Sequence, residues 1–151
     1  MAKVDIFDAK SEGVISVDRV AKSDAEWKEL LGPREFEITT RNGTERPGSR
    51  TFDEVHEAGI FRCVRCDTDL FRSETKFESG TGWPSFYEPI SPLNVVEKLD
   101  HSLGMVRTEV LCARCGSHLG HVFNDGPPPT GLRYCMNGFA LKFVSTTSAQ
   151  K

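Results

Sequence analysis

Hydrophobic and polar positions divide the chain into a helical entry and a longer stretch of short extended runs. Residues 1–20 carry only a weak alternation, Val14-Ile15-Ser16-Val17, and read as a loose arm with one short strand. Ser23 then stands three residues before Glu26, and Trp27, Leu30 and Leu31 follow at helical intervals. That capping-box spacing predicts a helix over 24–31. Gly32 can end it, and Pro33 is placed to start a second helix whose end is marked by Asn42-Gly43. Residues 44–49, with Pro47 and Gly48, read as loop. From Gly59 onward, apolar runs broken by Gly, Pro, Asp and Ser predict antiparallel strands at 59–64, 70–71, 95–99, 105–111, 121–123, 132–136 and 139–144. Residues 100–104 would turn one hairpin, and three consecutive prolines stiffen the loop 124–131 that leads into the strand at 132. The organisation expected is an arm over 1–20, a single domain over 21–145 and a disordered polar tail over 146–151.

Length and charge narrow the class. A chain of 151 residues can bury one core. A net charge of -3, with Lys and Arg scattered among more numerous acids, argues against a nucleic-acid partner. No apolar run reaches membrane-spanning length, and Met-Ala-Lys-Val-Asp lacks the apolar core of a signal peptide. A soluble, cytoplasmic protein with no membrane partner is expected.

The five cysteines change the picture further. Four form Cys63-Val-Arg-Cys66 and Cys112-Ala-Arg-Cys115, the spacing of two zinc knuckles, with Gly116 after the second pair to permit a tight turn. Four thiolates close a tetrahedral shell and leave no position for a substrate, so such a site is structural and contributes to folding. Iron suits four sulfurs as well as zinc does. A thioredoxin-like redox pair would sit at a strand-to-helix junction of an α/β pattern, which this chain lacks.

Cys135 remains, in Arg133-Tyr134-Cys135-Met136-Asn137. In a strand, alternate side chains share a face, so Arg133, Cys135 and Asn137 project together. A lone strand cysteine is more often a small core hydrophobe, but such a residue would have apolar neighbours two positions away. A cation beside a thiol favours the nucleophilic thiolate, and an amide can donate to a polar substrate oxygen. His118 and His121, three residues apart, would face opposite ways in a pure strand and could reach one site only if Gly120 allows a turn. Each alone reads as a hydrogen-bonded or surface histidine. Gly80-Thr81-Gly82-Trp83-Pro84-Ser85-Phe86 is equally an aromatic-anchored loop or a rigid apolar wall for a small group.

Taken together, Gly-Trp-Pro-Ser-Phe, Gly-Ser-His-Leu-Gly-His-Val-Phe, Arg-Tyr-Cys-Met-Asn and the two Cys-x-x-Cys pairs resemble the methionine-R-sulfoxide reductase B family from about Trp27 to Val144. The resemblance implies a mainly β fold of two antiparallel sheets in a barrel-like, tent-shaped arrangement, with short N-terminal helices and a structural four-cysteine zinc site. It implies reduction of the R epimer of methionine sulfoxide, free or in proteins, as a step in repair of oxidative damage. On the matching positions, Cys135 resembles the nucleophile; His118, His121 and Asn137 resemble the set that places a water and protonates the sulfoxide oxygen. Arg133 matches the arginine beside the nucleophile, Trp83 the aromatic that receives the substrate methyl, and Phe123 a pocket wall. His118, Val122 and Asn137 resemble the cysteine-dependent forms of the family. Thr81 is a departure, because many members carry a resolving cysteine there. With the other thiols committed to metal, a sulfenic acid on Cys135 would pass to an external reductant, thioredoxin or glutathione with glutaredoxin. Gly138 and Phe139 depart more mildly, toward altered substrate preference. A ligand-binding module on a related zinc-tethered scaffold, or a zinc-ribbon nucleic-acid binder, is the competing reading. A binding module has no use for Arg, Cys and Asn on one strand face, and the net charge of -3 disfavours the nucleic-acid binder.

Overall fold

The structure, a computed structural model, describes residues 2–41, 43–52, 55, 57–101, 104 and 106–146. Asn42, Met105, residues 102–103 of the expected 100–104 turn and residues 147–151 of the polar tail lie outside the described residues. The first helix, α1 (Asp24–Leu30), has the capping box in full. The Ser23 hydroxyl accepts from Glu26 N–H at 3.2 Å and the Glu26 carboxylate accepts from Ser23 N–H at 2.9 Å. Helix α2 (Pro33–Thr40) starts on Pro33, where a missing N–H costs nothing.

Before α1 the chain is more ordered than its pattern suggests. It forms a hairpin of β1 (Lys3–Asp8) and β2 (Gly13–Asp18) rather than a loose arm with one strand. Ile6 is the one fully buried hydrophobe of the pair, so periodicity had little to report. Distant polar groups hold the hairpin instead. The Asn94 carboxamide accepts from Phe7 N–H at 2.8 Å and donates to Phe7 O at 3.0 Å, and Asp69 accepts from Ala9 N–H at 2.9 Å.

Two antiparallel sheets build the body. One runs β11-β3-β4, from β3 (Gly59–Cys63), β4 (Asp69–Arg72) and β11 (Leu141–Ser145). The other runs β5-β6-β10-β9-β8-β7, from β5 (Lys76–Phe77), β6 (Ser85–Phe86), β7 (Val95–Asp100), β8 (Arg107–Cys112), β9 (His118–Phe123) and β10 (Arg133–Met136). Strands β5 and β6, of two residues each, are too short to leave a pattern. The sheets meet across an aromatic core: Phe71 stacks on Phe86 at 4.3 Å between centroids, Phe61 meets Phe86 edge-on at 5.1 Å, and Tyr134 lies 5.8 Å from Phe71. The strand expected over 139–144 starts at Leu141, because Gly138–Ala140 is a 3-10 turn. Gly138 lies so close to the loop before β3 that a Cβ would stand 2.0 Å from Arg50 O.

Candidate active site and metal centre

The two knuckles are built alike. Asp67 N–H donates to Cys63 O at 3.0 Å and Gly116 N–H to Cys112 O at 2.9 Å, closing each turn. Gly116 has φ +76°, as its position requires, and Asp67 takes the same left-handed conformation with φ +65° in the first knuckle. The four Sγ atoms lie within 4.8 Å of one another, with Cys63–Cys115 and Cys66–Cys112 both at 3.6 Å. Tetrahedral sulfur around an ion with ~2.3 Å bonds has edges of about 3.8 Å, so the donor set fits a closed metal shell. Hydrogen bonding to the neighbouring Cys112 sulfur, reinforced by burial, pushes the Cys63 thiol well above its ordinary value. Four thiolates can share this space only around a cation.

Cys135 is outside this cluster and stands in the middle of the six-stranded sheet. In β10 the burial alternates: Tyr134 and Met136 enter the core, Arg133 and Cys135 stand on the half-exposed face. The register then lines up one polar row across four strands. Ser85 on β6 pairs with Cys135, Cys135 with His121 on β9, and His121 with Glu109 on β8. Directly paired residues share a face and have Cβ atoms about 5 Å apart. Trp83, His121, Phe123, Arg133, Cys135 and Asn137 line one cavity of about 240 Å³, joined by Thr44, Thr81 and Arg107.

His118 is placed differently. It is 2% exposed and stays outside the cavity lining, yet its ring centroid is 5.6 Å from that of His121. A bulge brings the two rings together: Gly120 pairs with Val110 and His118 with Leu111, so Leu119 is an extra residue on β9. The expectation of a turn at Gly120 gives way to a bulge one residue earlier. Gly120 answers to a different constraint, since a Cβ there would stand 2.2 Å from Cys135 O.

Carboxylates that sequence reading passed over hold both imidazoles. Glu109 Oε2 is 2.6 Å from His118 Nδ1, and Asp100 Oδ2 is 2.8 Å from His121 Nε2. Burial pushes His118 below its ordinary value despite Glu109, which keeps that ring neutral near pH 7. Burial also raises the Cys135 thiol, while Arg133 and then the Thr81 and Ser85 hydroxyls pull it down. The net direction opposes the one expected from Arg133 alone. The Arg133 guanidinium is itself held by Asp125 at 2.9 and 3.2 Å and lies over the Phe123 ring at 4.5 Å.

The loop after α2 closes the cavity. Trp83 Nε1 donates to Glu45 O at 3.0 Å, Glu45 N–H donates to Asn137 Oδ1 at 3.2 Å, and Glu45 Oε1 accepts from Phe139 N–H at 2.9 Å. Asn137 also donates from its backbone N–H to Leu119 O at 2.8 Å, so one residue ties the loop to the bulge. Nothing in the spacing around Glu45 announces this anchor, because its burial arises only in the folded chain.

Residues 31–145 match the SelR domain family. A protein named peptide methionine sulfoxide reductase MsrB from Herminiimonas arsenicoxydans is 53% identical over 129 residues, which covers 85% of this chain and 94% of the relative. Its namesake from Agrobacterium fabrum is 54% identical over 125 residues, 83% of this chain and 93% of that one. The one from Hahella chejuensis is 47% identical over 135 residues, 89% and 97% of the two chains. This chain belongs to the MsrB family. The SelR match takes in every knuckle residue of this MsrB member and every residue lining the Cys135 cavity, and leaves out β1, β2 and α1. The same hairpin carries the contacts to Asn94, from Phe7 on β1, and to Asp69, from Ala9 in its turn. No helix among the described residues is long and apolar enough to cross a membrane.

Proposed function

We propose that the chain reduces the R epimer of methionine sulfoxide, in proteins and as the free amino acid, to methionine. The observation that carries this reading is the division of the five thiols: four gather in the knuckle cluster, and Cys135, outside it, lines the same cavity as His121 and Trp83. In this reading the Cys135 sulfur attacks the sulfoxide sulfur while Asn137 and His121 hold the oxygen and His121 passes the thiol's proton to it. The S–O bond breaks, oxygen and the thiol's hydrogen end on Cys135 as a sulfenic acid, and the thioether leaves. Trp83 and Phe123 receive the methyl and apolar part of the substrate. His118 acts from behind His121, fixed by Glu109.

Regeneration falls to an external thiol. Two reductant thiols reduce the sulfenic acid to Cys135 thiol and water and leave as a disulfide. Thr81 lines the cavity at the position of the family's resolving cysteine and has no sulfur to offer. Thioredoxin, or glutathione with glutaredoxin, fits the task, in a cytoplasmic setting. The knuckle cluster holds one structural zinc ion in this reading. Turnover of the two sulfoxide epimers by wild type and Cys135→Ser tests the activity: R-specific turnover lost in the variant is expected, and turnover surviving in the variant would refute it. Mass spectrometry after one substrate equivalent without reductant should trap a sulfenic acid on Cys135. An internal disulfide in its place would sink the external-reductant scheme.

A further inference from the structure

The two imidazoles of β9 are held through opposite ring nitrogens. Glu109 takes Nδ1 of His118 and Asp100 takes Nε2 of His121. Only the second ring reaches the cavity, and it stands directly across the strand pair from Cys135. A carboxylate accepts and does not donate, so the nitrogen that faces Asp100 carries a hydrogen and the other ring nitrogen, Nδ1, remains for the cavity. We infer that Asp100 is a positioning residue for the reaction: it fixes His121 in the Nε2–H form and thereby makes Nδ1 the atom that exchanges a proton with the sulfoxide oxygen. This inference rests on the proposed reductase activity.

Arg107 specifies how Asp100 acts. Its Nη2 donates at 3.3 Å to the same Oδ2 that receives His121. The carboxylate charge is therefore shared with a guanidinium, and its effect on the ring is mainly directional. Asp100 and Arg107 are register partners at the end of the β7–β8 pair, and Arg107 itself lines the cavity. The acceptor is thus built onto paired strands rather than onto a free loop, which keeps the ring angle fixed. Among the described residues, the charged and titratable groups around His121 are Asp100 from β7, Arg107 and Glu109 from β8, His118 on its own strand, and Cys135 and Arg133 from β10. Among them Asp100 is the one bonded to the ring.

A purely structural tie between strands would leave the tautomer and the chemical step alone. Long-range 1H–15N correlation spectra of the uniformly labelled protein, recorded where both rings are neutral, should show opposite tautomers: Nδ1–H for His118 and Nε2–H for His121. An Nδ1–H form of His121 in wild type would overturn the inference. Asp100→Ala should give a mixed His121 tautomer and a kcat lower by about 10- to 100-fold, with KM changed far less. Asp100→Asn should restore both, because the Arg107 donor selects the amide oxygen for the shared position and so preserves an acceptor for Nε2–H. Wild-type kcat in Asp100→Ala, or an Asp100→Asn variant as impaired as Asp100→Ala with its tautomer intact, would also overturn it. If Asp100→Ala fails to fold, the wild-type and Asp100→Asn spectra still decide. Absence of Cys135-dependent turnover would sink the proposed activity instead, and the spectra would decide the ring assignment alone.

Discussion

At Cys135 burial and charge pull the thiol in opposite directions, and burial prevails. Cys135 therefore rests as a thiol, and its alkylation by iodoacetamide should accelerate with pH about a midpoint above the ordinary thiol range. Arg133→Ala removes the first of the opposing influences and should move that midpoint higher. Asp125→Asn releases the guanidinium from its bidentate partner and should move it lower. Alkylation followed by mass across pH checks both, and a midpoint that falls in Arg133→Ala would contradict the assignment. Alternation in Arg133-Tyr134-Cys135 placed the two side chains on one face correctly. Asp125, on the far side of the proline-rich loop, left no sign in that pattern because its contact depends on how the loop folds back. Glu45 gives a second residue-scale test. Burial raises its carboxyl above the ordinary value. The protonated form therefore contributes stability below the unfolded value, and that contribution is lost as pH rises through the folded value. Glu45→Gln keeps an oxygen for Phe139 N–H and should melt above wild type at pH 7, with the difference vanishing below the carboxylate range. Thermal melts at the two pH values measure it.

The bulge in β9 is the element that makes the site. Regular alternation would send His118 and His121 to opposite faces; the extra residue Leu119 reverses the parity and brings the two rings edge to face. Period-2 reading of the sequence cannot anticipate this, because a bulge is fixed by the partner strand and by the core that takes Leu119, which is fully buried. Gly120 beside it has no room for a side chain. Gly120→Ala would force β9 away from β10 and should cost about 1–3 kcal/mol or more. A lowered denaturant midpoint together with slower turnover is expected, and a midpoint equal to wild type would show that the strands can part without cost. By contrast α1 was legible almost to the residue, since its capping box involves neighbours three apart and needs nothing from the rest of the chain.

Across the whole molecule the knuckles join the two sheets: Cys63 ends β3 in one and Cys112 ends β8 in the other. A bound ion would therefore be a fastener between layers. Four-cysteine zinc sites can contribute roughly 10 kcal/mol or more, comparable with the full stability of a domain, about 5–15 kcal/mol. Cys112→Ser, or exhaustive chelation, should abolish the cooperative melt, and elemental analysis should find one ion lost per chain. A chelated protein that still melts cooperatively would reduce the cluster to a minor support. By itself the sequence determined the local features: the first helix and its cap, the order of most strands, the two knuckles, and the face shared by Arg133 and Cys135. Each depends on residues a few positions apart, so spacing carries the information. Tertiary structure decided which carboxylate meets which imidazole, where β9 bulges, how the N-terminal hairpin docks and how far burial outweighs the cation at Cys135. Those outcomes depend on register and desolvation between segments distant along the chain, quantities that exist only once the sheets have formed.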